Sequence, residues 1–154
     1  MGNYHNIEYD FIERTIRLIS QYQAILDQYP FEEQYNYTLT INCLLGLIIM
    51  PKERVISFIP ITRLTTEFKQ TIGLEDSIIH SDIQTLRDLI QTLRHSIAHF
   101  DIHIKSDTDE NHIDWINFKD TEDGNTIASF KANELVPFLE YYSTCLLENL
   151  KRHA

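Results

Sequence analysis

The chain has 154 residues, with 13 basic against 23 acidic side chains and a formal net charge of −10. That length suits one domain with a sizeable core, here expected to span residues 1–154. The acidic balance disfavours a general duplex-DNA coat protein, because phosphate binding needs Lys and Arg, but leaves room for a local nucleic-acid site. Two cysteines, Cys43 and Cys145, both in apolar runs, exclude a disulfide-rich scaffold. The opening MGNYHNIEYD has neither a basic n-region nor an apolar h-region. The apolar run Cys43–Pro51 is far short of the roughly 20 residues that span a bilayer. The expectation is a cytoplasmic protein with no membrane partner.

Apolar residues at three- and four-residue spacing predict a first helix from Asn3 to about Gln28, with Ile7, Phe11, Leu18, Ile19, Tyr22 and Ile25 on its stripe. Pro30 ends it. A second helix is predicted from Phe31 or Glu32 to Met50, apolar nearly all round near its end and therefore central. Pro51 and Pro60 bracket a short element of one or two helical turns. Thr65, Thr66, Thr71 and Gly73 suggest a loop. Ser81 and Gln84 form a capping-box pattern that opens a helix to about His99. Its stripe is Ile83, Leu86, Ile90, Leu93, Ile97 and Phe100.

The period then changes to alternation. Phe100, Ile102 and Ile104 read as a strand, Ile113 to Phe118 as a second and Thr126 to Phe130 as a third. The turn signal is Glu122-Asp123-Gly124-Asn125. Asn133 caps a last helix from Glu134 to about Lys151, with Pro137 tolerated in its first turn. The fold class is mainly α: a four- or five-helix bundle with a small antiparallel hairpin or three-stranded appendage before the C-terminal helix.

Acidic residues gather at Asp107, Asp109, Glu110, Asp120, Glu122 and Asp123. The D-x-[DN]-x-[DN]-G spacing of an EF-hand is absent, so a solvated surface is the reading. No Gly-rich phosphate loop is present, which argues against P-loop ATP hydrolysis.

The informative stretch is Leu93-Arg94-His95-Ser96-Ile97-Ala98-His99-Phe100. Arg94 brings a fixed charge suited to phosphate oxygens. His95 and His99 are imidazoles, the side-chain type most often used to move protons in catalysis. Those are the parts for RNA cleavage without a metal: a base for the ribose 2′-OH, a cation for the phosphorane and an acid for the leaving 5′-oxygen. Arg94 and His99 stand about 140° apart on a straight helix, so they converge only if it ends or bends there. One His cannot be base and acid at once. A two-fold dimer burying this helix end supplies two of each residue around one cleft.

With these residues, the chain resembles the HEPN superfamily, whose motif is R-x(4–6)-H late in a helical bundle. Arg94-His95-Ser96-Ile97-Ala98-His99 is the four-spacer form, and the run from Tyr35 to Pro51 together with RHSIAHF resembles a plasmid-encoded HEPN subfamily. The resemblance covers about residues 5–150. It implies a metal-independent endoribonuclease in toxin–antitoxin or antiphage defence, with its active site between two protomers. Arg94 and His99 are then catalytic and His95 orients or polarises. The implied partners are a second copy of the chain, RNA (tRNA among the candidates) and an antitoxin or other protein. No cofactor or resident metal is implied. Some members carry a Tyr two residues after the motif His as a target for modification; here that position is Asp101. Other members are non-catalytic modules that dock a protein or a nucleotide, and this is the rival reading.

The RNA-phosphate candidates are Lys52, Arg54, Arg63 and Arg87, in or beside a locally basic segment. His95, His99 and His103 share a face only if the helix continues, and a metal on H-x3-H-x3-H depends on that. His5, His80, His112 and His153 have no constellation and are expected at the surface. Tyr35, Tyr37, Trp115, Tyr141 and Tyr142 are read mainly as packing residues, with base stacking as the alternative.

Overall fold

The computed structural model describes residues 3–108 and 112–153. Asp109 and Glu110 of the acidic group fall outside them. Four long helices form the bundle: α1 (Ile7–Ile25), α2 (Asn36–Ile49), α5 (Leu86–Ala98) and α6 (Leu135–Arg152). Two short helices, α3 (Glu53–Ile56) and α4 (Thr66–Thr71), lie between α2 and α5. The mainly α reading holds.

The helices begin where polar groups meet orphan amides. Asn6 caps α1 by accepting from Glu8 N and Tyr9 N. α2 starts five residues later than Phe31, because Phe31–Glu33 forms a 3-10 turn and Gln34 is extended. The Gln34 amide turns back to donate to Leu26 O and Tyr29 O. α2 packs on α1, α5 and α6, the central position its apolar circumference predicts.

α4 stands where a loop was expected. Thr65 caps it by accepting from Phe68 N at 3.1 Å. α5 opens at Thr85 rather than Ser81. Thr85 and Asp88 make a reciprocal capping box. The Ser81–Gln84 box is displaced because backbone bonds Leu64 N to Gln84 O and Leu86 N to Thr62 O hold this segment extended. Asn133 makes no side-chain cap; a 3-10 turn, Ala132–Glu134, leads into α6.

Four strands make an antiparallel sheet in the order β1-β4-β3-β2. They are β1 (Ile78–Ile79), β2 (Ile102–Lys105), β3 (Trp115–Lys119) and β4 (Thr126–Lys131). β1 was not expected. Its two residues precede α5 and pair with β4, so the sheet is not wholly an insertion before the last helix. Glu134 fixes that segment by accepting from Asp76 N, Ser77 N and Ser77 Oγ. On edge strand β2, Ile102 packs partly against the core while Ile104 is half exposed, so only the start of its alternating face is covered.

An aromatic series joins sheet to bundle. Phe118 meets Phe130, Phe130 meets Phe138, and Phe138 stacks on Tyr142, with centroids 5.3, 5.3 and 6.0 Å apart. All four rings are fully buried. On α1 the buried residues are Ile12, Thr15 and Ile19, whereas Ile7, Leu18 and Ile25 are exposed. This outer helix carries more apolar residues than one face can bury.

Gly73 ends α4 in a Schellman closure: φ is +79°, its N–H donates to Gln70 O, and Leu74 N–H donates to Lys69 O. A Cβ here would lie 2.6 Å from Pro137 Cβ and 2.9 Å from Phe138 N. At Gly124, φ is +72° but a Cβ would meet nothing within 4 Å. Gly73→Ala should therefore cost more than about 2 kcal/mol in urea denaturation, from backbone strain plus overpacking against α6. Gly124→Ala should cost only about 1 kcal/mol, the backbone part alone.

Candidate functional site

α5 ends at Ala98, where its amphipathic stripe stops. His99 is the C-cap residue, with φ −95° and ψ 0°. Phe100 follows at φ +59°, the left-handed region. Its N–H donates to Ile97 O and Asp101 N–H donates to Ser96 O, at 3.0 and 2.9 Å. This is the same Schellman closure as at Gly73, made with Phe instead of Gly. Buried Ser96 reinforces it by donating from Oγ to Asp101 O at 3.0 Å. Phe100 is thereby turned away from the core, 78% exposed, which corrects its place on the α5 stripe.

The reversal stops α5 short of His103, which lies on β2. The shared face of His95, His99 and His103 is therefore not formed. His95 and His99, one turn apart, are both exposed and pack with ring centroids 4.7 Å apart at 57°. Among the described residues no group of three or more His, Cys, Asp or Glu is arranged to hold a metal.

Arg94 faces another way. Its Nη1 donates to Ile48 O and Pro51 O, at 3.0 and 3.1 Å, closing the C-terminus of α2. Its Nη2 lies 3.9 Å from Glu53 Oε2. The side chain is 25% exposed, and among the described residues its hydrogen bonds are made by Nη1. α5 ends near His99, yet no hydrogen bond or ion pair joins Arg94 to either imidazole. Tyr142, buried nearby, makes no hydrogen bond through its hydroxyl. Burial pushes its pKa upward against the pull of the Arg94 charge.

The phosphate candidates are spread out. Arg87, two turns before Arg94, donates from Nε and Nη2 to Ile59 O. Lys52 and Arg54 pair with Glu8 on α1. A hydrogen bond from Lys52, helped by Arg54, holds the Glu8 carboxyl below the usual range. Arg63 is exposed and lines an open cleft with Lys69 and His80. Asn149 was missed by the sequence reading; its amide donates to Val55 O at 3.2 Å while buried. A polar residue on the apolar stripe of the last helix was the available signal. His153 stacks on Phe58, His112 packs at a tilt against Phe31, and His80 pairs with Asp82, so these histidines have specific neighbours.

A helical bundle with an exposed His pair at the end of α5, preceded directly by Arg, has the organisation of a HEPN domain. The family model described as HEPN pEK499 p136 matches residues 1–153, and the chain belongs to that family. Searches of curated proteins and of solved structures gave no match.

Two substitutions separate the roles at this helix end. Arg94→Ala should cost about 2–3 kcal/mol by urea denaturation, because it leaves two carbonyls without their charged donor; His99→Ala should stay within about 0.5 kcal/mol. Phe100→Gly should raise stability by about 1 kcal/mol, read the same way, by relieving the left-handed conformation.

Proposed function

We propose that the chain is a metal-independent endoribonuclease that acts as a homodimer, in the setting of toxin–antitoxin or antiphage defence. The observation that carries this reading is the exposed His95–His99 pair, next to Arg94 in sequence, at the end of α5. Membership of a HEPN family supports it.

In the proposed reaction one imidazole takes the proton of a ribose 2′-OH. The 2′-oxygen attacks the adjacent phosphorus and the bond from phosphorus to the 5′-oxygen breaks. A second imidazole gives its proton to the leaving oxygen. The products are a 2′,3′-cyclic phosphate and a 5′-hydroxyl end. Arg94 neutralises the phosphorane through the donors that α2 leaves unused. Because Arg94 and the imidazoles of one chain are held by different neighbours, the second protomer completes the cleft. Arg63 is the most available of the four phosphate candidates; Lys52 and Arg54 must first be drawn from Glu8.

One observation favours a second reading, a non-catalytic module that docks a protein or a nucleotide. Arg94 already has a structural task at the end of α2.

Cleavage of a total-RNA and tRNA mixture in excess EDTA tests the two. Wild-type protein should leave 2′,3′-cyclic ends, and His99→Ala should slow cleavage at least about 100-fold, the scale of one general acid or base. Equal cleavage by both proteins would remove His99 from the reaction. Binding of RNA or a partner without cleavage would favour the docking module.

A further inference from the structure

At the far end of α2 from Arg94, two 3-10 turns connect α1 to α2 and carry an aromatic cluster. Tyr22, Tyr29, Glu33 and Tyr35 line an open cavity of about 290 Å³. The Tyr22 and Tyr29 rings are nearly parallel, 13° apart in plane, with centroids 6.5 Å apart. Tyr29, Phe31 and Tyr35 are 42%, 62% and 60% exposed.

These side chains sit on a fixed frame. Tyr35 N–H donates to Tyr22 Oη at 2.9 Å, and the Gln34 amide donates to Leu26 O and Tyr29 O. Tyr29 N–H donates to Leu26 O, and Glu33 N–H to Pro30 O. Little ordering is left for a ligand to impose.

Within the segment itself the charge is one-sided, and His112 lies at its edge against Phe31. From Leu18 to Pro51 the sequence holds Asp27, Glu32 and Glu33 and no Lys, Arg or His. Aromatic faces attract cations through their quadrupole, and a carboxylate beside them adds to the attraction. The same field repels phosphate, which argues against RNA stacking on these tyrosines. It also disfavours a second copy of this acidic chain.

We propose that the Tyr22–Tyr29–Tyr35–Glu33 cavity is a cation-recognition site that receives an arginine side chain from a basic segment of a partner protein. A flat guanidinium can stack on a tyrosine ring while donating to Glu33. Two features point to a polypeptide rather than a free amine. Exposed Phe31 extends the apolar surface beyond the cavity, and Asp27 and Glu32 extend the negative field beyond what one small cation uses. The site is separate from the α5 motif, since Tyr35 precedes α2 and Arg94 binds Ile48 near its end.

Tyrosine-ring NMR signals of the full chain report occupancy directly. The titrants are a ten-residue Gly-Arg peptide, N-acetyl-arginine amide, tetramethylammonium and adenosine monophosphate. The peptide should shift the Tyr22, Tyr29 and Tyr35 signals saturably and bind at least tenfold tighter than the amide. Glu33→Gln and Tyr35→Ala should each weaken it at least fivefold with unchanged unfolding midpoints. Absence of saturable shifts, or insensitivity to both substitutions, would overturn the site. Adenosine monophosphate binding as tightly as the peptide would make it a base-stacking platform, and tetramethylammonium binding as tightly would make it a free-amine site; either overturns the proposal.

Discussion

Two prolines, Pro51 and Pro60, interrupt the chain between α2 and α4, and helices end there with carbonyls that lack intrahelical partners. Side chains of two other helices take them up. Arg94 binds Ile48 O and Pro51 O, Arg87 binds Ile59 O, and Asn149 binds Val55 O. Arg87 and Arg94 are seven residues apart, so they leave one face of α5 about 10.5 Å apart along its axis. They straddle the segment while Asn149 holds its middle from α6. α3 is only Glu53–Ile56 and could not persist alone at that length. Its position is set by these donors, and with it the positions of Lys52 and Arg54 against α1. The motif arginine is thus part of the frame as well as a candidate for phosphate chemistry.

Much of that frame was legible. The four long helices follow from three- and four-residue spacing, and the change of period at Phe100 marks the end of α5. Starts were harder to read. Ser81–Gln84 and Thr85–Asp88 are both capping-box patterns four residues apart, and tertiary pairing of residues 62–64 with 84–86 decides between them. β1 has only two residues and depends on Glu134, 55 or more positions away in sequence, which no local pattern encodes. The Arg94-to-His99 spacing identified the family, but the direction of the Arg94 side chain depends on where α2 happens to end. Tyr35 read locally as a packing residue; the 3-10 turns and the extended Gln34 leave it exposed instead.

Charge organises the surface more finely than a net value of −10 suggests. The basic side chains of residues 52–94 mostly have partners: Lys52 and Arg54 have Glu8, Arg87 has a carbonyl, and Lys69 donates to Ser77 O. Arg63 has none. An incoming phosphate therefore meets competition at most of the cations that sequence alone would offer it, whereas a cationic ligand meets none between Leu18 and Pro51. Both ends of α2 suit a guanidinium: at one it comes from Arg94 within the chain, and at the other the proposed site takes it from outside.

The order β1-β4-β3-β2 leaves both margins of the sheet unpaired, a template for runaway stacking of chains in many proteins. Here the margins are poor templates. β1 offers two residues. β2 offers four, starts directly after the reversal at Phe100, and ends in Lys105, whose ammonium pairs with Asp107. Short length, a kinked start and a charged end give a neighbouring strand little to lengthen. Open-ended stacking of chains through the sheet margins is thereby disfavoured, and the sheet is kept to the size that one chain supplies.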